Sequence, residues 1–333
     1  MKTSFAELEA RGRRAFVAGG IASLAGSAAL AQPAPQVVNN VVVGRDGWLF
    51  SSFGEPGRGY VQAVDKGVCD VVMEAAKLLK AARIEPVIAL IPAKNRLYRQ
   101  FISPAAPPPE FQRRYAFLLA ELRRNETLVP DLEASFRRAA SERPAEGLYF
   151  RSDTHWTPRG AELCAAELAR AIRESRRLPA STQAGTRLAE PVTQTHPIGD
   201  LQRLLPVEMR TQFAPEEYRI RLPAQAAGLL DDAAGDVAAI GSSFLEPRYA
   251  YVHALSNQLQ RPVQLAWRPN TVGPWMTLIE YLRSPEFRRN RPRLIAWHHL
   301  EINMASGPNV SDWGRNAMPP QAFLGELHQL LGA

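Results

Sequence analysis

Hydrophobic positions along the chain follow two alternating rhythms. Val41-Val42-Val43 and Trp48-Leu49-Phe50 flank Gly44-Arg45-Asp46-Gly47 and read as a hairpin, two β-rich runs around a glycine-bounded turn. From 62 to 83 the period becomes helical, with Val64, Val68, Val71, Val72, Ala75, Leu78 and Leu79 recurring at that spacing. Pro86 to Ile91 is a short continuous apolar run, the pattern of a strand buried on both faces. Phe111 to Leu122 is helical, Thr127-Leu128-Val129 reads as a brief strand, and Tyr149-Phe150 as a strand end. Thr157-Pro158 then gives a hydroxyl cap and a first-turn proline to a helix. Its apolar face is Ala161, Cys164, Ala165, Leu168, Ala169 and Ile172. Residues 177–235 are less regular, with a linker around 179–186 and a strand at Tyr218 to Leu222. Alternation then resumes: strand 237–240, helix 246–260, strand 263–267, helix 274–283, strand 294–297 and a C-terminal helix near 320–331.

Such alternation predicts an α/β fold with a mainly parallel sheet and helices on both faces. The 333 residues, 46% of them hydrophobic, suffice for a substantial core. No internal repeat interrupts the pattern. Residues 1–31 read as an export signal. Arg13-Arg14-Ala15-Phe16-Val17 is a twin-arginine-like start, Ala15 to Ala28 is a weakly apolar run, and Ala29-Leu30-Ala31 is a small-x-small cleavage site. Gly12 before the arginines leaves the export route open, and an uncleaved anchor is the alternative. Residues 32–36 form a linker, and 37–333 the folded domain. Of the formal charge of +7, the leader holds +2, from Lys2, Arg11, Arg13 and Arg14 against Glu7 and Glu9. The remainder favours an acidic partner without diagnosing one. The arginines are interspersed with acids, and no nucleic-acid motif is present. Export would place Cys69 and Cys164 where a disulfide is allowed, although both fall on apolar helix faces that suit buried thiols.

In a parallel sheet the ligand site lies outside the carboxyl ends of the strands. Polar and titratable residues follow several of the expected ones: Lys94-Asn95-Arg96, Asp153 and His155, Gly241-Ser242-Ser243, and His298-His299 with Glu301. Asp153-x-His155 puts a carboxylate within reach of an imidazole, the base half of a Ser-His-Asp triad. A satisfied turn would explain the same residues. Gly241 would let the chain turn sharply and present Ser243 at a helix start, where amides can stabilise an oxyanion. The bland alternative is an ordinary serine cap. Lys94, Asn95 and Arg96 could donate to an oxyanion or a substrate carboxylate, or form a solvated loop. With them, Tyr98, Trp275 and His298 are candidates for holding a substrate, although Trp275, like Trp48 and Trp267, also suits the core or its rim. His298, His299 and Glu301 lack the spacing of a zinc site. His196, His253 and His328 receive no role.

These motifs together resemble the periplasmic alginate O-acetyltransferases with an SGNH-hydrolase-like domain. The resemblance spans most of the chain beyond the leader and keeps the family's motif order. It rests on Gly44-Arg45-Asp46-Gly47-Trp48-Leu49-Phe50, on Ile91-Pro92-Ala93-Lys94-Asn95-Arg96-Leu97-Tyr98 and on Asp153-Thr154-His155-Trp156-Thr157-Pro158. Gly199-Asp200-Leu201, Ile240-Gly241-Ser242-Ser243-Phe244, Gly273-Pro274 and the late strand ending in Trp297 complete it. By resemblance, Asp153 is the acid, His155 the base and Ser243 the nucleophile, with Asp-x-His preceding the serine as in that family. His298 stands where an acidic residue is expected, which puts the local acceptor contacts in question. The implied activity is transfer of an acetyl group through acyl-Ser243 to an exopolysaccharide hydroxyl in the periplasm. The resemblance further implies acetyl supply by a membrane-bound O-acyltransferase partner, and no metal or organic cofactor. An esterase using the same triad, or a glycan-binding scaffold, are the competing readings.

Overall fold

Asn39 and Asn40 both take positive φ, 48° and 63°, the backbone a two-residue hairpin turn requires. They fold β1 (Gln36–Val38) back on β2 (Val41–Val43), and β3 (Leu49–Ser51) pairs on the other side with Val42 opposite Phe50. The expected hairpin is therefore the second half of a three-stranded antiparallel sheet. The computed structural model describes residues 35–55, 61–103, 105–224 and 235–332. The expected leader, residues 32–34 of the expected linker and residues 225–234 lie outside the described residues. Gln36, assigned to the linker, is the first residue of β1.

Next come α1 (Gln62–Ala81), β4 (Glu85–Ile91), the single turn α2 (Lys94–Leu97), α3 (Pro109–Leu122), α4 (Leu132–Glu142) and α5 (Pro158–Ser175). An antiparallel ribbon of β5 (Val192–His196) and β6 (Glu216–Ile220) encloses α6 (Asp200–Leu204) and α7 (Val207–Arg210) in the chain. The remainder is β7 (Val237–Gly241), α8 (Tyr251–Leu259), β8 (Val263–Trp267), α9 (Gly273–Arg283), α10 (Pro285–Arg289), β9 (Leu294–Leu300) and α11 (Pro320–Leu331).

The central sheet has the order β4-β9-β7-β8, and every pair in it is parallel. Period-two alternation divides its side chains between two cores. Val87, Ala89 and Ile91 of β4, Val237 and Ala239 of β7, and Leu294 and Ala296 of β9 join the core that includes α4, α5 and α8. Ile88, Leu90, Ala238, Ile240, Ile295 and Trp297 join the other, with α1, α3, α9 and α11. Burial on both faces is why these strands read as continuous apolar runs. Cys164 lies in the first core and Cys69 in the second; both are buried free thiols. None of the described helices is long and apolar enough to cross a membrane.

Several expectations change. Thr127-Leu128-Val129 and Tyr149-Phe150 are not strands, since each makes a single bridge, Leu128 to Val87 and Tyr149 to Trp156. The helix expected over 246–260 starts only at Tyr251; two 3₁₀ turns, Ser243–Leu245 and Pro247–Tyr249, precede it. Pro247 and the left-handed Ala250 (φ 56°) break the helical path there. β9 runs to Leu300, so His298 and His299 are buried strand residues and not a loop beyond its end.

Candidate active site

The Asp153–His155 segment is the tip of a loop closed on itself. The Phe150 amide donates to the His155 carbonyl at 3.2 Å and the Thr157 amide to the Leu148 carbonyl at 2.9 Å. Thr157 Oγ1 caps α5 through the Gly160 amide at 3.3 Å. Lys94 and Glu216 hold the loop from beneath. Lys94 Nζ donates to the carbonyls of Leu49, Arg151 and Asp153 at 2.6, 2.8 and 2.8 Å. Glu216, at the start of β6, accepts from the Arg151 and Ser152 amides and from Ser152 Oγ at 2.7–2.9 Å.

Within this frame Asp153 Oδ1 accepts from His155 Nδ1 at 2.6 Å and from the His155 amide at 2.9 Å. His155 Nε2 is 2.8 Å from Ser243 Oγ. Burial alone would raise the Asp153 carboxyl, but the hydrogen bonds from His155 and His196 hold it well below the usual carboxylate range. Asp153 thus stays ionised and fixes His155 with its proton on Nδ1, leaving Nε2 free to take one from serine. Ser243 comes from a different part of the chain. Central strand β7 ends at Gly241, and Ser243 begins the 3₁₀ turn just beyond it. A Cβ on Gly241 would approach His298 Cβ and Leu245 Cδ1 to 2.9 Å, so the exit from the strand demands glycine. Tyr249 stacks on the His155 ring at 5.4 Å, and Phe244 lies tilted against it at 4.9 Å.

Asp200, which received no role from the sequence, is part of this assembly. Its carboxylate accepts from the Thr154 amide at 2.7 Å and from Thr154 Oγ1 at 2.5 Å, and it lies 3.6 Å from His155 Nδ1. Burial, and then the Asp153 charge, raise its carboxyl above the usual range. Gly199 makes the approach possible, since a Cβ there would stand 2.0 Å from the Ser152 carbonyl oxygen. His196 also touches the site, with Nε2 3.0 Å from Asp153 Oδ2. The sequence offered one signal for Asp200, its place in the Gly199-Asp200-Leu201 motif, and none for His196.

A cleft of about 790 Å³ opens over Ser243 and His155. Phe53, Phe244, Asn270, Asn303, Asp312 and Trp313 are among its walls, all in short 3₁₀ turns, most of which carried no sequence signal. Of the six residues expected to hold a substrate, only Lys94 and Asn95 line it, and their donors point inward. Asn95 Nδ2 donates to the Ser51 carbonyl and to Glu55 Oε1. Burial pushes the Lys94 ammonium down to about 7, against the pull of Glu216, Asp153 and Asp200. Arg96 makes a buried forked ion pair with Glu301, at 2.6 Å from Nη2, and donates to the Phe111 carbonyl. Tyr98 stacks on Trp48 at 4.2 Å, and its hydroxyl accepts from the Leu148 amide. Trp275 packs edge-on to Trp297, and its Nε1 donates to the Ser306 carbonyl. His298 is fully enclosed, with Nε2 2.6 Å from the Tyr251 hydroxyl, and burial pushes it down to about 4. Arg96, Tyr98, Trp275 and His298 are therefore internal braces, because each polar group has a protein partner inside the fold. His299 projects to the opposite sheet face beside Trp297, and Glu301 is taken by Arg96, so the three residues do not converge.

Known proteins resemble this chain in sequence and fold. Residues 41–301 match the family described as SGNH hydrolase-like domain, acetyltransferase AlgX. A probable alginate O-acetylase AlgJ of Pseudomonas fluorescens is 30% identical over 287 residues, covering 82% of this chain and 71% of that protein. Its counterpart in Pseudomonas aeruginosa is 30% identical over 296 residues, covering 82% and 73%. Among solved structures, the O-acetyltransferase domain of Pseudomonas putida AlgJ superposes with a TM-score of 0.70 at 26% identity, covering 87% of this chain and 99% of that one. Pseudomonas aeruginosa AlgX shares the fold at a TM-score of 0.60 and 20% identity, covering 80% and 66%. The chain belongs to the SGNH hydrolase-like acetyltransferase family of AlgX.

Proposed function

We propose that this protein is a polysaccharide O-acetyltransferase in which Ser243 carries the acetyl group, His155 moves the proton and Asp153 orients His155. The observation that carries the reading is the continuous relay from Asp153 through His155 to Ser243, opening into a cleft wide enough for sugar. His155 Nε2 takes the Ser243 proton as Oγ attacks the acetyl carbonyl of the donor. The Ser243 and Phe244 amides open the 3₁₀ turn, where no acceptor within the turn is available to them. They can donate to the oxyanion as it forms. His155 then protonates the leaving group. An acceptor hydroxyl gives its proton to the same nitrogen, attacks the acetyl-serine, and leaves as an acetylated sugar with Ser243 restored.

The acceptor we propose is an alginate-like exopolysaccharide, supported by the alginate O-acetylase names of the relatives. Phe53, Asn270 and Asn303, on the cleft walls and not buried, are the glycan contacts we propose in place of Arg96, Tyr98, Trp275 and His298. A twin-arginine-like leader at residues 1–31 supports a periplasmic location, with acetyl supplied through a membrane-bound O-acyltransferase. The test is rapid quenching of the protein with an aryl acetyl ester, followed by peptide mass analysis. The acetyl group is expected on the Ser243 peptide, and its appearance on another residue, or on none during turnover, would refute the mechanism.

A further inference from the structure

We infer that His196 is a positioning residue for the reaction, holding the Asp153 carboxylate in the one orientation that serves His155. The inference rests on the triad reading given above.

A carboxylate offers about four acceptor positions, and four donors meet Asp153. Oδ1 takes His155 Nδ1 and the His155 amide; Oδ2 takes His196 Nε2 at 3.0 Å and the Asp200 amide at 3.1 Å. One oxygen thus serves the base, and the other is tethered by a second imidazole from a different part of the chain. His196 is itself fixed, its ring stacked on Phe150 at 4.3 Å. β5 explains how it arrives. Its first four residues, Val192 to Thr195, are exposed and only His196 turns inward. The ladder pairs His196 with Glu216, which grips the Arg151 and Ser152 amides. One exposed ribbon therefore delivers two adjacent groups to the acid loop, one to its backbone and one to its carboxylate.

Without the His196 donor, Oδ2 keeps only an amide and the carboxylate plane is freer to turn. Asp153 would also concentrate its charge on His155, since hydrogen bonds to a carboxylate favour its ionised form and lower its basicity. Asp153 is the ionisable group in contact with His196. His155 and Asp200 lie beyond it, Glu216 is across the ladder, and Tyr218 and Tyr249 both pack against Phe150.

The experiment compares His196→Ala, His196→Gln, Gln194→Ala on the exposed face of the same ribbon, and Ser243→Ala, using a small acetyl ester. His196→Ala should lower kcat roughly 10- to 100-fold, the penalty of slight misplacement of a reacting group, with KM within about twofold. The acidic limb of its kcat/KM profile should move to higher pH. His196→Gln, which keeps a donor near Nε2, should recover most of kcat, and Gln194→Ala should match the parent. Unchanged kcat and pH profile in His196→Ala would overturn the inference. So would a loss in His196→Gln equal to that in His196→Ala, which would mark a packing role. If His196→Ala fails to fold, the His196→Gln profile decides alone: parent-like kcat supports the inference and a full loss overturns it. Full turnover by Ser243→Ala would instead sink the triad reading, whatever the His196 variants do.

Discussion

Ser243 Oγ stands 2.8 Å from His155 Nε2 although 88 residues separate them in the chain. The contact joins two unlike pieces of backbone: the exit of the central strand β7 and a self-closed loop braced by a buried lysine. Because neither half can form the site alone, damage to either should be felt in full.

The triad residues should behave as a unit. Ser243→Ala, His155→Ala and Asp153→Asn should each lower turnover by roughly 10⁴-fold, and combining them should add little. Ser242→Ala should be mild, because Ser242 caps nothing with its side chain. Steady-state rates on an acetyl ester check this, with melting curves to exclude unfolding.

Lys94 should prove a structural residue, contrary to its appearance in sequence. Lys94→Met removes the ammonium from three carbonyls, of which Arg151 still accepts from the Leu49 amide, and each buried group left unsatisfied costs about 1–3 kcal/mol. The variant should melt well below the parent and lose ester cleavage and sugar transfer together. A selective loss of transfer at unchanged melting temperature would restore Lys94 as a glycan contact.

Much of this was legible where burial is simple. β7, β8 and α11 lie within a residue of expectation because β7 is continuously apolar, β8 is interrupted only by Gln264, and α11 keeps a helical apolar period. The convergence of Asp153, His155 and Ser243 could be expected because a turn and a strand end leave local marks. β6 was read two residues late, at Tyr218 to Leu222, and β5 was not read, since its exposed polar residues carry no hydrophobic rhythm. Lys94 and Arg96 misled because charge reads as solvent exposure. Their acceptors, Leu49, Asp153 and Glu301, lie 45 to 205 residues away and are brought in only by the fold. β9 ran past its expected end for a related reason: His298 and His299 look polar, yet each is buried among aromatic rings.

Those two histidines make stability pH-dependent. Burial pushes His298 down to about 4 and His299 to about 3, against an ordinary value of 6.5. Between those values the unfolded chain binds more protons than the folded one, so stability rises with pH across the window and falls on acidification. The melting temperature should drop from pH 7 to pH 4, and less steeply in His299→Gln. An equal slope in that variant would show that other groups dominate.

Both thiols should be inert in the folded protein. Burial pushes Cys69 up to about 12 and raises Cys164 further, so little thiolate is available to react. A disulfide-exchange reagent should label neither in native buffer and both in denaturant.

Transfer and hydrolysis are distinguished by where the acetyl group goes. Well-oriented hydroxyls act as though present at roughly 10⁵ M or more, against about 55 M for water, so an acceptor bound beside His155 should win. The measurement is the mass of an alginate oligosaccharide after incubation with the protein and an acetyl ester. A gain of about 42 Da per acetyl is expected, absent with Ser243→Ala and accompanied by less free acetate. Ester cleavage at the same rate with and without the oligosaccharide, and no mass gain on the sugar, would contradict transfer.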